Sequence, residues 1–478
     1  MKFSPLLFAI MSTITLALLS PPNGCYSQSR CANYTINKIK INGYKRTRPL
    51  TILHEFSIKE SKTYTVADYE KEKQETINRL YDTELFTSIT WNDTILPTCE
   101  IQININFQER WYTFPIVILG FGDRNFNEWY QTYNHDIRRL NLGFWFYQRN
   151  ITGRNDNLLI GYQTGFTKKY GFRYLLRGVG KNKKSNIEIN ALLTKEKKTA
   201  IQIKNNKLEF YSSDQYSYSR FFSGITYFYL PNPNTQLAVD ATYHRFQISD
   251  EINRINSNYL LNKTRREGTS FYVSLMQFKR DNKIYPLNAF LYKLEFVKIG
   301  MLPSDNLNNT WLNGKINLHK QLGYNFFVSQ SFQAKYDFTN QRQPFRLARA
   351  LGYDEYYVRG YELYVLDGQH YFLNRNTIKK RIINKHITVP YLKDNRFSNL
   401  PLTAYLKAFA DYGYVWNKFE NPMSTLPNTS LMSYGIGIDI LPLYSLVVRV
   451  EYTRNKLKEN GVFLHFNLDI GNDNSHIW

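Results

Sequence analysis

Two short runs carry side chains whose types suit charge chemistry. Val358-Arg359-Gly360-Tyr361 offers a guanidinium beside a glycine and a phenol, and Phe409-Ala410-Asp411-Tyr412-Gly413 offers a carboxylate. Around Asp411 the residues alternate. Thr403, Tyr405, Lys407, Phe409, Asp411 and Gly413 fall on one face, and Ala404, Leu406, Ala408, Ala410 and Tyr412 on the apolar other. A carboxylate on the polar face of such a strand seeks a basic partner, and a charge-assisted pair is strong where water is partly excluded. Arg359 lies 52 residues away, a gap that only a connection folding back over the strand can close. Taken alone, Arg359 reads equally well as a solvated residue in an exposed turn. Bond-making chemistry has less support. His54, His135, His244, His319, His370, His386, His465 and His476 are scattered without metal-ligand spacing. No nucleophile motif accompanies Asp411 and His386. The expectation is therefore no enzyme, no cofactor and no metal.

Three cysteines are too few for a disulfide-dense scaffold. Lys2 followed by the uncharged apolar run Leu6–Leu19 and then small residues reads as a secretory signal peptide over residues 1–27. Lipidation at Cys25 is the alternative processing. Export permits disulfides, and Cys31 and Cys99 either pair or remain two small buried thiols; sequence alone leaves both open.

The elements that must position these groups fall into two parts near residue 110. In residues 28–110, Tyr34, Ile36, Ile39 and Ile41 lie in a strand ending at the turn Asn42-Gly43. A short segment follows at 50–56. Val66, Tyr69, Lys73, Ile77 and Leu80 then recur at helical spacing, and strands are expected at 87–95 and 101–107. The expected order is strand, helix, helix, strand, strand. Residues 111–478 contain no convincing helix but many runs with period-two alternation. Val462, Leu464, Phe466, Leu468 and Ile470 oppose Phe463, His465, Asn467 and Asp469. Leu446, Val448, Val450 and Tyr452 oppose Val447, Arg449 and Glu451, and Tyr434, Ile436, Ile438 and Ile440 oppose Ser433, Gly435, Gly437 and Asp439. Runs of about ten residues with aromatics near their ends suit a transmembrane β-barrel, apolar outside and polar within. The runs number about sixteen, an even count as bacterial barrels require. Residues 338–368 alternate weakly and join the eleventh and twelfth strands.

Composition agrees. Aromatics make up 16% of the chain, yet the mean hydropathy is −0.47 and the net charge +22. Residues 28–110 hold 12 basic and 11 acidic residues, and residues 111–478 hold 48 and 28, so the excess belongs to the second part. Spread over alternating strands, it marks a polar interior and loops. No nucleic-acid motif accompanies it, and no nucleic-acid partner is expected.

These motifs together resemble the BamA/TamA outer-membrane assembly superfamily. Ile39-Lys40-Ile41-Asn42-Gly43-Tyr44-Lys45-Arg46-Thr47 and Leu80-Tyr81-Asp82-Thr83-Glu84-Leu85-Phe86 resemble signatures of its periplasmic POTRA domain, although Glu84 stands where the family often has Gly. Arg280-Asp281-Asn282 with Tyr285-Pro286 resembles a recurrent strand end. Val358-Arg359-Gly360-Tyr361 and Phe409-Ala410-Asp411-Tyr412-Gly413 resemble the inward-loop motif and its partner strand. The resemblance implies a mainly β chain, with one small α/β POTRA domain over 28–110 and a sixteen-stranded antiparallel barrel over 111–478. In it, 338–368 is an inward-folding loop that brings Arg359 onto Asp411. Arg359, Gly360, Tyr361, Phe409, Asp411 and Gly413 would then be structural and gating residues. The implied location is the bacterial outer membrane with the N-terminal domain in the periplasm. The implied work is insertion of outer-membrane proteins or translocation of polypeptides. Its partners would be outer-membrane lipid, unfolded outer-membrane protein or exported polypeptide clients, and periplasmic accessory proteins. A passive channel or receptor, or a secretion pore dedicated to one partner protein, are the alternatives.

Overall fold

The computed structural model describes residues 31–468 except 181, 283–284, 340, 389–398, 420 and 444–445. The expected signal segment 1–27, with Cys25, and the chain beyond Leu468 lie outside the described residues. Two compact units follow one another, the second beginning at Trp111.

The first unit runs β1 (Asn33–Asn42), α1 (Pro49–Leu53), β2 (Thr63–Thr65), α2 (Val66–Asp82), β3 (Phe86–Ile95) and β4 (Glu100–Glu109). Its sheet has the order β2-β1-β4-β3, with β1 parallel to β4. The three-residue β2 is an addition to the expected order, too short to leave a periodic signal. Ile36, Ile101, Ile103 and Ile105 are fully buried under α2, which contributes Tyr69, Thr76 and Leu80. The Thr65 hydroxyl caps α2 by accepting from Asp68 N–H at 3.1 Å. Tyr69 and Lys73, one turn apart, both reach Asp93 of β3, at 2.6 and 2.5 Å. Gly43 sits at φ +83°, where a Cβ would lie 2.1 Å from the Phe107 carbonyl oxygen, so this turn admits no side chain. Glu84, just past α2, also has a positive φ of 55°, the conformation glycine adopts most readily.

After Gly43 the chain is held by Glu109, whose carboxylate accepts from Arg46 N–H at 3.0 Å and Thr47 N–H at 2.7 Å. Burial works to raise its pKa, but the Thr47 hydroxyl and these backbone donors outweigh burial and hold it below the usual carboxylate range. A carboxylate with a depressed folded pKa stabilises at pH values above its unfolded pKa, and this is lost as pH falls through the folded value. The amides of residues 43–48 are therefore expected to lose hydrogen-exchange protection on acidification below the ordinary Glu range. Glu109→Gln should show that weakened protection already at neutral pH, and equal exchange in the two proteins would refute the assignment.

The second unit is one sheet of sixteen antiparallel strands. They are β5 (Thr113–Phe121), β6 (Leu140–Arg149), β7 (Asn157–Gly165), β8 (Thr167–Val179), β9 (Ser185–Glu196), β12 (Tyr218–Asn232), β13 (Thr235–Ile248) and β14 (Arg265–Arg280), followed by β15 (Ala289–Ile299), β16 (Asn309–Gly323), β17 (Phe326–Asp337), β20 (His370–Thr388), β21 (Asn399–Trp416), β22 (Ser430–Leu443), β23 (Leu446–Asn455) and β24 (Asn460–Leu468). Each pairs with the next in chain order, so the topology is up-and-down. Connections carry two small hairpins, β10 (Lys198–Lys204) with β11 (Lys207–Ser212) and β18 (Arg349–Leu351) with β19 (Leu366–Asp367). The expectation of no helix in this part is corrected by α3 (Asp250–Ile255), six residues long, capped by the Ser249 hydroxyl and with Ile252 buried. One and a half turns give too little periodicity to register in sequence.

The outward face is apolar. Val117, Leu119, Tyr434, Ile436, Val462 and Phe466 are exposed, while their neighbours Ser433, Asp439, Glu451 and Phe463 are buried. An apolar exterior around a whole sheet far exceeds what water-soluble proteins expose, and lipid is the solvent that suits it. No described helix is long and apolar enough to cross a membrane, so a crossing rests on strands. Among the described residues no ladder joins β5 to β24.

Candidate functional site

The inner faces of β20 to β24 carry the charged side chains, and the connection 338–368 folds onto them. Val358 and Tyr361 from that connection are buried with Leu351, Leu366, Tyr371, Leu373, Val415 and Leu431. This packing holds Arg359 over β21. Its Nε and Nη2 donate to Asp411 Oδ2 and Oδ1 at 2.7 and 2.6 Å, a bidentate pair, and its backbone N–H reaches Oδ2 at 3.2 Å. Nη2 also donates to the Thr377 hydroxyl at 3.0 Å. The guanidinium lies 3.9 Å from the Phe409 ring centroid, a cation–π contact. Both charged residues are buried. Arg, unlike Lys, matches a carboxylate with two parallel donors and stacks on an aromatic face at the same time.

The glycines in these motifs make room. Gly360 has φ +85° and its carbonyl accepts from Asn455 Nδ2 at 2.9 Å, while its N–H donates to Glu362 Oε2 at 2.7 Å. A Cβ on Gly413 would come within 2.5 Å of Val358, so that glycine is the seat of the inward loop. Gly435, opposite Phe409 in the ladder, leaves space for its ring. Gly437 stands between Lys407 and Glu451, and because it has no side chain Lys407 Nζ crosses it to Glu451 Oε1 at 2.5 Å. Lys407 also pairs with Asp439, which accepts from the Tyr285 hydroxyl at 2.7 Å. The strand-end motif ending at Tyr285-Pro286 thus delivers a phenol into the same network. Arg359 Nη1 is 3.8 Å from Glu451 Oε1, which links the Arg359 pair to the Lys407 row.

A third group adjoins these. Glu362, Glu451 and His465 bring ligand-type atoms within 4.8 Å of one another. The alternation in sequence already separates the faces carrying Lys407, Asp439, Glu451 and His465. What it does not contain is the register that aligns them across four strands, nor the fold-back that adds Glu362.

The connection 122–139, after β5, spans the gap between the sheet's first and last strands. Asn127 Nδ2 donates to Leu464 C=O at 3.0 Å, and Asn127 Oδ1 accepts from Leu464 N–H at 2.8 Å. One side-chain amide so satisfies both backbone groups of a β24 residue, as a neighbouring strand would. Phe126 packs edge-on against Phe466, with centroids 5.8 Å apart. The same connection grips the inward loop. Arg124 donates to the carbonyls of Gly352 and Tyr364, and Asn125 to that of Glu362 at 3.1 Å. No motif marked Arg124, Asn125 or Asn127, because the loop and strand groups they grip are backbone groups more than 200 residues away, although Arg124 also pairs locally with Glu128.

In the first unit Cys31 and Cys99 form a disulfide, with Cα atoms 5.7 Å apart. It ties the start of β1 to the turn between β3 and β4.

Comparison with known proteins follows the same division. The POTRA model, described as a surface antigen variable number repeat, matches residues 34–110. No curated protein matches the chain in sequence. Among solved structures, BamA from Haemophilus ducreyi lacking POTRA domains 1-3 is similar with a TM-score of 0.61 at 12% identity, over 91% of this chain and 84% of that one. CdiB from Escherichia coli is similar with a TM-score of 0.56 at 12% identity, over 91% and 76%. CdiB from Acinetobacter baumannii gives 0.52 at 10%, over 91% and 74%. At such identities the likeness is one of fold. Residues 34–110 thus match the POTRA model, and the sixteen-stranded sheet that follows has the fold of the BamA and CdiB barrels.

Proposed function

We propose that this chain is an outer-membrane protein that inserts other outer-membrane proteins or passes polypeptides across the membrane, with its POTRA domain in the periplasm. The observation that carries the reading is the seam between β5 and β24. In lipid every backbone polar group must be satisfied, so an edge strand there is costly unless something pairs with it. Here the Asn127 amide stands in for a strand at Leu464. A side chain of this kind is exchangeable: an extended client segment offers the same two hydrogen bonds along the whole edge. The POTRA sheet, ending in the ten-residue edge strand β3, provides a second surface for an extended client. A passive channel is disfavoured, because the inner face of β20–β23 is covered by the inward loop.

Depletion of the protein followed by outer-membrane proteomics tests the reading. Loss of several barrel proteins supports insertion, loss of a single exported protein supports translocation of one partner, and loss of solute uptake with an unchanged proteome overturns both. At the seam itself, Asn127→Ala should speed hydrogen exchange in the peptide 460–468 of the micelle-bound protein. Exchange there at the wild-type rate would remove Asn127 from any seam role.

A further inference from the structure

Glu362 comes from the inward loop, Glu451 from β23 and His465 from β24, and each has one polar atom already engaged. Glu362 Oε2 accepts from Gly360 N–H at 2.7 Å. Glu451 Oε1 takes Lys407 at 2.5 Å and faces Arg359 at 3.8 Å. His465 Nδ1 lies 3.4 Å from the Tyr357 hydroxyl, and the two rings stack with centroids 5.8 Å apart. The remaining atoms, Glu362 Oε1, Glu451 Oε2 and His465 Nε2, converge. Glu362 is 1% exposed, yet its Oε1 has no hydrogen-bond partner, and neither has His465 Nε2. The imidazole nitrogen stands 3.6 Å from Glu362 Oε1 and 3.4 Å from Glu451 Oε2. These separations exceed the roughly 2.7–3.2 Å of N–H···O hydrogen bonds. They lie close to the edge of a tetrahedron, about 3.3–3.5 Å, whose centre is about 2.0–2.1 Å from each donor, and all three atoms fall within 4.8 Å of one another.

We propose that Glu362, Glu451 and His465 form a divalent-cation site of the zinc type, with a water as the fourth ligand. Around it, Gly360 N–H, Lys407 and the Tyr357 hydroxyl orient the three ligands through their other atoms, as outer-shell partners of metal sites do. Asp411, Asp439, Glu451 and Glu362 are offset here by Arg359 and Lys407, with Arg449 opposite Asp439 and His465 in the ladder, so the case for a cation rests on the convergent ligand atoms. The ion would fasten the inward loop to the last two strands, independently of what the barrel carries. Local spacing in sequence does not reveal the set, because its members come from three elements, 89 and 14 residues apart.

The test uses the untagged full chain in detergent micelles, purified without chelator. Zinc is measured by elemental mass spectrometry, and Co(II) is then exchanged in and read by visible absorption. One zinc per chain is expected, with tetrahedral ligand-field bands for cobalt that vanish in His465→Gln and Glu362→Gln. Tyr357→Phe, which leaves every ligand in place, should weaken zinc binding about 10- to 100-fold. Heat-modifiable gel mobility establishes that each variant is folded, and Tyr357→Phe remains informative where a ligand variant is not. The proposal is overturned if the wild type retains no zinc and shows no cobalt bands, or if wild type and variants retain equal zinc. The three groups then form a metal-free bridge in which His465 lies between two carboxylates.

Discussion

Arg359→Ala and Asp411→Ala are each expected to abolish or sharply lower the thermal stability of the folded barrel. Each leaves its partner charged, buried and unpaired, a loss of about 3–5 kcal/mol. The bond network sharpens this. Arg359 without Asp411 keeps the Asn376 carbonyl, Thr377 and the Phe409 ring, and among the described carboxylates its ion-pair partner is Glu451, at 3.8 Å. Asp411 without Arg359 keeps no side-chain donor among the described residues, since its hydrogen bonds come from the guanidinium and the backbone N–H of Arg359. The double variant removes both charges, so it should cost far less than the sum of the singles, a strongly non-additive cycle. Arg359→Lys should fall between wild type and Arg359→Ala, because an ammonium still pairs with Asp411 but cannot hold both carboxylate oxygens and stack on Phe409. Heat-modifiable mobility and micelle melting curves are the measurements. Additive, negligible effects would mean that the inward loop is held by its apolar packing alone. In that case Arg359, Gly360, Tyr361, Phe409, Asp411 and Gly413 would lose the structural and gating role we assign to them.

The second large effect belongs to the POTRA unit. Cys31 and Cys99 are 68 residues apart. On the chain-entropy account, a loop of that length stabilises by about 4 kcal/mol. That is a large part of the stability of so small a domain, whose core is one four-stranded sheet under a single long helix. The pair Cys31→Ser and Cys99→Ser, or simple reduction, should therefore shift the POTRA unfolding transition in denaturant to markedly lower concentration. The barrel's heat-modifiable transition should stay where it is, since the bond lies wholly within the first unit. An unchanged POTRA midpoint under reductant would mean that the two thiols are unpaired in the protein. Oxidation is expected only if the domain resides in an oxidising compartment, so the free-thiol content of protein taken from cells also tests the periplasmic placement.

What could be read without a structure was whatever is periodic. Alternation follows from the two-residue repeat of a strand, and it sorted Lys407, Asp411, Asp439, Glu451 and His465 onto one face and Ile436, Val450 and Val462 onto the other. The helix at Val66–Asp82 was equally legible, because Tyr69 and Leu80 recur with its 3.6-residue period and both are buried. The side-chain set that pairs Arg359 with Asp411 rested on motif resemblance, since nothing local ties residues 52 apart.

Only the tertiary structure decided the rest. Register between strands is set by the whole ladder, and it is register that lays Lys407, Gly437 and Glu451 in one row. Fold-back of the inward loop adds Glu362 to that row's neighbour His465, a contact between residues with no shared period. The grip of Asn127 on Leu464 is made with backbone groups, which every residue carries alike, so no residue type announces it. Short elements such as Thr63–Thr65 and Asp250–Ile255 escaped for a related reason, being too short to show two full repeats of their period. Sequence determined the faces because burial selects side chains one strand at a time. The site needed the structure because its bonds join different strands, loops and backbone atoms, and only the closed set of contacts brings these together.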